Sequence, residues 1–127
     1  MRTVLLISSL FLFAMGCKSK TTNASSETTF KDVNVSEAKT MIAEKKDLVI
    51  LDVRTPEETA QGIIEGAMII DIHDPEFDKK INILNKEKPY LVYCRSGGRS
   101  VTASNKMIEA GFKDIFNLEG GYRAWSK

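Results

Sequence analysis

Hydrophobic positions along the chain fall in short unbroken runs separated by polar, turn-rich stretches. Leu48–Val53 (LVILDV) is nearly continuous and β-branched, and Ala67–Ile70 (AMII) and Tyr90–Tyr93 (YLVY) repeat the pattern. A strand with one wet face alternates apolar and polar residues, so continuous runs predict strands covered on both faces, as in a parallel sheet. Phe30–Val35 and Asp114–Leu118 are more polar strand candidates. Helical spacing lies between the runs. Ser36 can cap a helix carrying Ala38, Met41 and Ile42 on one face. Thr55, Pro56 and Glu58 supply an N-cap, an N1 proline and an N3 glutamate. Arg99–Ala110 fits a helix that buries Ala103, Met107 and Ala110 and stops at Gly111. Trp125 reads as the packing residue of a C-terminal helix. The order β-α-β-α-β-β-α-β predicts an α/β fold with helices on both faces of the sheet.

The N-terminus has a different pattern. Val4–Gly16 is an uncharged apolar run of 13 residues behind a basic Met-Arg-Thr. About 20 residues are needed to cross a bilayer, so the run fits the core of a secretory signal rather than a membrane span. Ala14-Met15-Gly16-Cys17 resembles the cleavage box of bacterial lipoproteins, with Ala14 in place of the usual leucine. That resemblance implies lipidation of Cys17. Lys18–Thr29 is polar throughout and reads as a flexible tether. The expected organisation is a signal peptide at 1–16, a lipidated cysteine and tether at 17–29, and a domain at 30–127. The expected location is the periplasmic side of a bacterial cell envelope, with a lipid anchor at Cys17.

Composition narrows the chemistry. The chain has 127 residues, with 18 Lys and Arg against 17 Asp and Glu, a net charge of +1. That balance offers no electrostatic reason for a nucleic-acid partner. Two cysteines without a C-x-x-C pair and a single histidine exclude a disulfide-stapled mini-domain and a cysteine-rich zinc site.

The remaining chemistry concentrates in Cys94-Arg95-Ser96-Gly97-Gly98-Arg99-Ser100, directly after the Tyr90–Tyr93 run. In α/β sheets ligands bind at the carboxyl ends of strands. Gly97 and Gly98 allow a tight loop whose N–H groups turn inward as an anion nest. The helix that follows adds its positive end, and Arg95 and Arg99 add two permanent charges. All three effects favour a thiolate at Cys94, a nucleophile suited to an electrophilic sulfur in an anionic substrate. Arg99 has an alternative role: it can pair with Asp52 or Glu58 and brace the loop.

Four ordered segments resemble the rhodanese-like family of single-domain sulfurtransferases. Leu51-Asp-Val-Arg-Thr-Pro-Glu-Glu58 is similar to its D-x-R-x-x-x-E segment, and Gly62-Ile-Ile-Glu-Gly-Ala67 to its G-H-I-x-G-A. Tyr93-Cys-Arg-Ser-Gly-Gly-Arg-Ser100 is similar to its C-x-x-G-x-R-S loop, and Leu118-Glu-Gly-Gly-Tyr-Arg-Ala-Trp125 to its L-x-G-G-x-x-x-W ending. The resemblance implies a five-stranded parallel sheet and a Cys94 persulfide. It implies transfer of sulfane sulfur from a small anionic donor such as thiosulfate to cyanide or a thiol. Arg95, Ser96, Gly97, Gly98, Arg99 and Ser100 would line the substrate loop, and the resemblance implies no metal or organic cofactor. Ile63, Ile69 and Asp71 depart from the family's usual His, Asn and Pro.

Asp52, Arg54 and Glu58 are expected as supporting residues, in an internal ion pair and a capping box. His73 reads as a surface or turn residue. Rival functions remain. Phosphatases and arsenate reductases also use a Cys–Arg anion loop, but with one more residue between the two. A non-catalytic envelope binding module is a second rival. A thiol–disulfide oxidoreductase would need a resolving cysteine, and Cys17 is the only other one.

Overall fold

The computed structural model describes residues 27–127. The signal peptide, Cys17 and most of the tether lie outside the described residues. Of the stretch read as tether, Thr29 is the first residue of a strand.

Five strands form one sheet: β1 (Thr29–Val33), β2 (Val49–Asp52), β3 (Met68–Ile69), β4 (Pro89–Tyr93) and β5 (Asp114–Leu118). Their spatial order is β1-β5-β4-β2-β3, and every neighbouring pair is parallel. The helices are α1 (Val35–Glu44), α2 (Pro56–Thr59), α3 (Phe77–Asn82), α4 (Gly98–Glu109) and α5 (Gly121–Trp125). The sheet with helices on both faces is the α/β architecture expected from the sequence.

β4 occupies the centre and is buried at all five residues. Its side chains alternate between two cores, as the pleat requires. Tyr90 and Val92, with Cys94 just past the strand, join Phe77 and Ile81 of α3 and Ala103 and Met107 of α4. Leu91 and Tyr93 join Ala38 of α1, Ile64 and Leu118 on the other face, where Tyr122 and Trp125 also pack. Trp125 thus docks α5 onto the sheet, with the Lys39 ammonium 5.4 Å from its ring centre.

Three expectations need correction. The Ala67–Ile70 run is not covered on both faces: β3 is a two-residue edge strand whose Met68 and Ile69 are exposed. Second, the expected order has the Ala67–Ile70 and Tyr90–Tyr93 strands in succession with no helix between them, but α3 lies there. Parallel strands need a crossover, and α3 supplies it, burying Phe77 and Ile81. Third, Asn34 rather than Ser36 caps α1. Its side chain accepts from Glu37 N–H at 2.9 Å, and the Glu37 carboxylate accepts from Asn34 N–H at 2.9 Å. Only Asn34 has a glutamate three residues on, so only it closes the reciprocal box. In α4, Ala103 and Met107 are buried as expected, while Ala110 is half-buried beyond the helix end.

Candidate active site

Cys94 follows the last residue of β4, at the carboxyl edge of the central strand. The chain then turns through Arg95, Ser96 and Gly97 into α4. Gly97 sits at φ +114°, a left-handed conformation that side-chain-bearing residues avoid, and this lets the turn close. The Gly97 N–H donates to Cys94 Sγ at 3.1 Å, and Ser100 Oγ lies 3.4 Å from the same sulfur. The sulfur therefore sits at the amino end of a 12-residue helix, where the peptide dipoles present positive charge.

The residue is also buried, at 1% exposure. Two influences on the thiol therefore compete. Burial is the largest single one and pushes the pKa up. Hydrogen bonds from the Ser100 hydroxyl and from the N–H groups of Ser100, Gly97 and Ser96 together outweigh it, so the pKa falls below the ordinary value of 9.0. Of the lowering influences the Ser100 hydroxyl is the largest, followed by the amides of Ser100, Gly97 and Ser96.

Ser100 has a second partner. Its hydroxyl can donate to the Gly97 carbonyl at 3.1 Å. With Cys94 protonated, Sγ–H can donate to Ser100 Oγ while the hydroxyl proton goes to Gly97. With Cys94 ionised, the same proton turns to the sulfur. One hydroxyl thus serves both charge states.

The loop is held from behind by α5. Tyr122 N–H donates to Cys94 O at 2.8 Å and Arg123 N–H to Arg95 O at 3.0 Å. Binding these carbonyls outward leaves the next amides free to face the sulfur. The approach is so close that a Cβ at Gly121 would lie 2.4 Å from Cys94 O. The Gly-Gly pair of the C-terminal segment is legible in the sequence, but its contact with the thiol loop is long-range and leaves no local signal there.

Arg99 takes its bracing role. Its Nη1 and Nη2 donate to Glu58 Oε2 and Oε1 at 2.8 and 2.7 Å. The bidentate pair, aided by the Thr55 capping bonds, holds the Glu58 carboxyl down to about 2 despite opposing burial. The clamp's contribution to stability is thus present above the ordinary value of 4.5 and is lost as pH falls through about 2. Arg95 is exposed, and among the described residues its side chain has no ion-pair partner.

Asp52 and Arg54 form the expected internal pair. Asp52 is fully buried and Arg54 is 3% exposed. Asp52 accepts from Arg54 N–H, Nε and Nη2, and Nη2 also donates to Gly62 O at 2.8 Å. The guanidinium lies 4.2 Å from the Tyr122 ring centre and 5.5 Å from that of Tyr93. Asp52→Ala would strand this buried cation, so chemical denaturation should register a loss of about 3–5 kcal/mol. A loss below about 1 kcal/mol would mean that solvent replaces the carboxylate.

Of the three departures, Ile63 and Ile69 are exposed, at 37% and 45%. Asp71 is half-buried, and its carboxylate accepts from His73 N–H at 2.9 Å. His73 is exposed in that turn. None of the four contacts the sulfur through a hydrogen bond.

Known proteins match this arrangement in sequence and in fold. The family described as Rhodanese-like domain matches residues 34–127. A sulfurtransferase of Allochromatium vinosum is 34% identical over 86 residues, covering 68% of this chain and 78% of the relative. A thiosulfate sulfurtransferase of Coxiella burnetii is 33% identical over 97 residues, covering 76% and 87%. The crystal structure of a rhodanese-like domain protein from Staphylococcus aureus superposes with a TM-score of 0.65 at 37% identity, covering 75% of this chain and 90% of that one. With its amide-cradled cysteine on the shared fold, the chain belongs to the rhodanese-like sulfurtransferase family.

Proposed function

We propose that the protein carries sulfane sulfur on Cys94, from a small anionic donor such as thiosulfate to a thiophilic acceptor, cyanide or a thiol. The observation that carries this reading is the Gly97 N–H aimed at the sulfur at 3.1 Å, at the start of α4. In the first half-reaction the Cys94 thiolate attacks the outer sulfur of thiosulfate. A Cys94 S–S bond forms, the donor S–S bond breaks, and sulfite leaves with the electron pair. In the second, cyanide or a thiolate attacks the outer persulfide sulfur. The persulfide bond breaks and Cys94 departs as a thiolate, stabilised by the amides that received it. A thiocyanate or a new persulfide is the product, and no net oxidant or reductant is consumed.

The test is intact mass. Incubation with thiosulfate should add one sulfur, about 32 Da, and cyanide should remove it. A chain that gains no mass under these conditions is not such a carrier.

The cradle predicts a pH dependence. The iodoacetamide alkylation rate should rise with a midpoint below 9.0, and Ser100→Ala should move that midpoint upward by removing a hydrogen bond to the thiolate. An unmoved midpoint would leave the peptide amides as the sole stabilisers.

The location proposed is the bacterial cell envelope, periplasmic side, with a lipid anchor at Cys17. It rests on the N-terminal sequence pattern alone. Detergent partitioning of the wild type, lost in Cys17→Ser, tests it.

A further inference from the structure

Arg54 is a buried cation that the two half-reactions leave unused. Its pairing with Asp52 does not by itself explain its presence, because a buried ion pair is often no more stable than apolar side chains of the same volume. Its surroundings are more informative. The guanidinium lies 4.2 Å from the Tyr122 ring centre, and that ring also stacks on Tyr93, with centroids 6.2 Å apart at 27°. The hydroxyl end of the ring rests against Gly62, where a Cβ would stand 2.5 Å from the Tyr122 oxygen. Arg54 Nη2 donates to the Gly62 carbonyl, so the same guanidinium holds the backbone that the hydroxyl meets. The Tyr122 side chain is thus confined by a cation, a second ring and a glycine.

The backbone of the same residue serves the thiol loop. Tyr122 N–H donates to Cys94 O, and Arg123 N–H donates to Arg95 O. The peptide that follows Arg95 is trans, so the Ser96 N–H points opposite to the Arg95 carbonyl. With that carbonyl turned to α5, the Ser96 N–H is turned to the sulfur, where it is one of the hydrogen bonds on Cys94. The first turn of α5 therefore takes its pose from a side chain and passes it on through two amides. We infer that Tyr122 is a positioning residue for the sulfur chemistry: Arg54 holds its ring, and the ring sets the pose in which α5 aims the Ser96 amide at Cys94. This rests on the sulfur-carrier reading and names a residue that acts on that thiol without touching the sulfur.

The test separates pose from packing. Tyr122→Leu removes the aromatic face but keeps an apolar side chain and the backbone N–H. Sulfur loading from thiosulfate, followed by intact mass, should slow about tenfold. The midpoint of the iodoacetamide alkylation profile should rise as the amide leaves the thiolate. Tyr122→Phe keeps the ring on the guanidinium and should restore both. Arg54→Lys reaches the contact from the other side. It keeps a cation for Asp52, loses the planar face, and should raise the midpoint even where Tyr122→Leu fails to fold. Both changes remove one contact, so the double variant should shift the midpoint no further than the larger single one. A lower melting temperature with loading and midpoint unchanged would mean that the ring only packs, and it overturns the inference; so do shifts that simply add. Alkylation needs no sulfur donor, so the two readings fail separately. A wild type that never loads, with variants that raise the midpoint, refutes the sulfur carrier and keeps the positioning. A wild type that loads, with variants whose midpoint is unmoved, refutes the positioning alone.

Discussion

Cys94→Ser is expected to gain no sulfur from thiosulfate and to lose transfer by on the order of a thousandfold or more. The substitution is nearly isosteric, so its effect is chemical. A serine oxygen still accepts the Gly97 N–H bond and meets the Ser100 hydroxyl, which leaves the fold and the loop intact. Its hydroxyl, however, ionises far above neutral pH. The amides that bring a thiol below 9.0 cannot bring an alcohol into range. Nor can oxygen form the stable sulfur–sulfur bond that stores the transferred atom. Melting temperature should stay near the wild type while mass gain disappears. Residual loading in Cys94→Ser would place the carrier on another group and remove the basis of the mechanism.

Gly121→Ala is expected to produce the largest loss for a residue that never touches substrate. Its backbone holds φ +56°, and an added Cβ would stand 2.4 Å from Cys94 O and 2.6 Å from both Arg95 C and Arg95 O. Those obstacles are backbone atoms, so no side chain can swing aside. Either α5 retreats and its bonds to the loop carbonyls stretch, or the loop itself shifts toward the sulfur. A misplacement near 1 Å in such a frame costs about 100-fold in rate, and a non-glycine residue in the left-handed region costs about 1–2 kcal/mol besides. Sulfur loading should slow by about that factor and stability should fall together with it. Gly66 is the control: it has positive φ but open space around its Cβ position, so Gly66→Ala tests backbone strain without the collision. Wild-type loading in Gly121→Ala would mean that α5 does not hold the loop.

Much of this site was legible because its signals are local. The unbroken runs of β2 and β4 mark buried parallel strands, and the glycines after Cys94 mark a turn into a helix within a few residues. Thr55-Pro56-Glu-Glu58 reads as a helix start on its own, and the reciprocal Thr55–Glu58 bonds are present. What was missed depends on distance or on context. Apolar content cannot tell an edge strand from an inner one, so Met68 and Ile69 looked like core. Phe77, Ile81 and Leu84 have helical spacing, but they stand within a charged stretch that masks it. The Arg99–Glu58 clamp joins residues 41 positions apart, and both Asp52 and Glu58 were open as partners. The contact of Gly121 with Cys94 O is likewise long-range, and a pair of glycines does not announce which backbone it must approach.

Because all five strands run the same way, the polypeptide enters the sheet at Thr29 and presents its sulfur at the opposite pole. The separation is about the length of β4, five residues at roughly 3.3 Å each, or about 16 Å. The amino end of β1 therefore lies beneath the sheet, with the thiol mouth at the opposite edge. A bulky partner fused directly before Thr29 should accordingly leave sulfur loading unhindered, whereas the same partner joined after Lys127, at the end of the segment whose Tyr122 and Arg123 amides bind the thiol loop, should slow it.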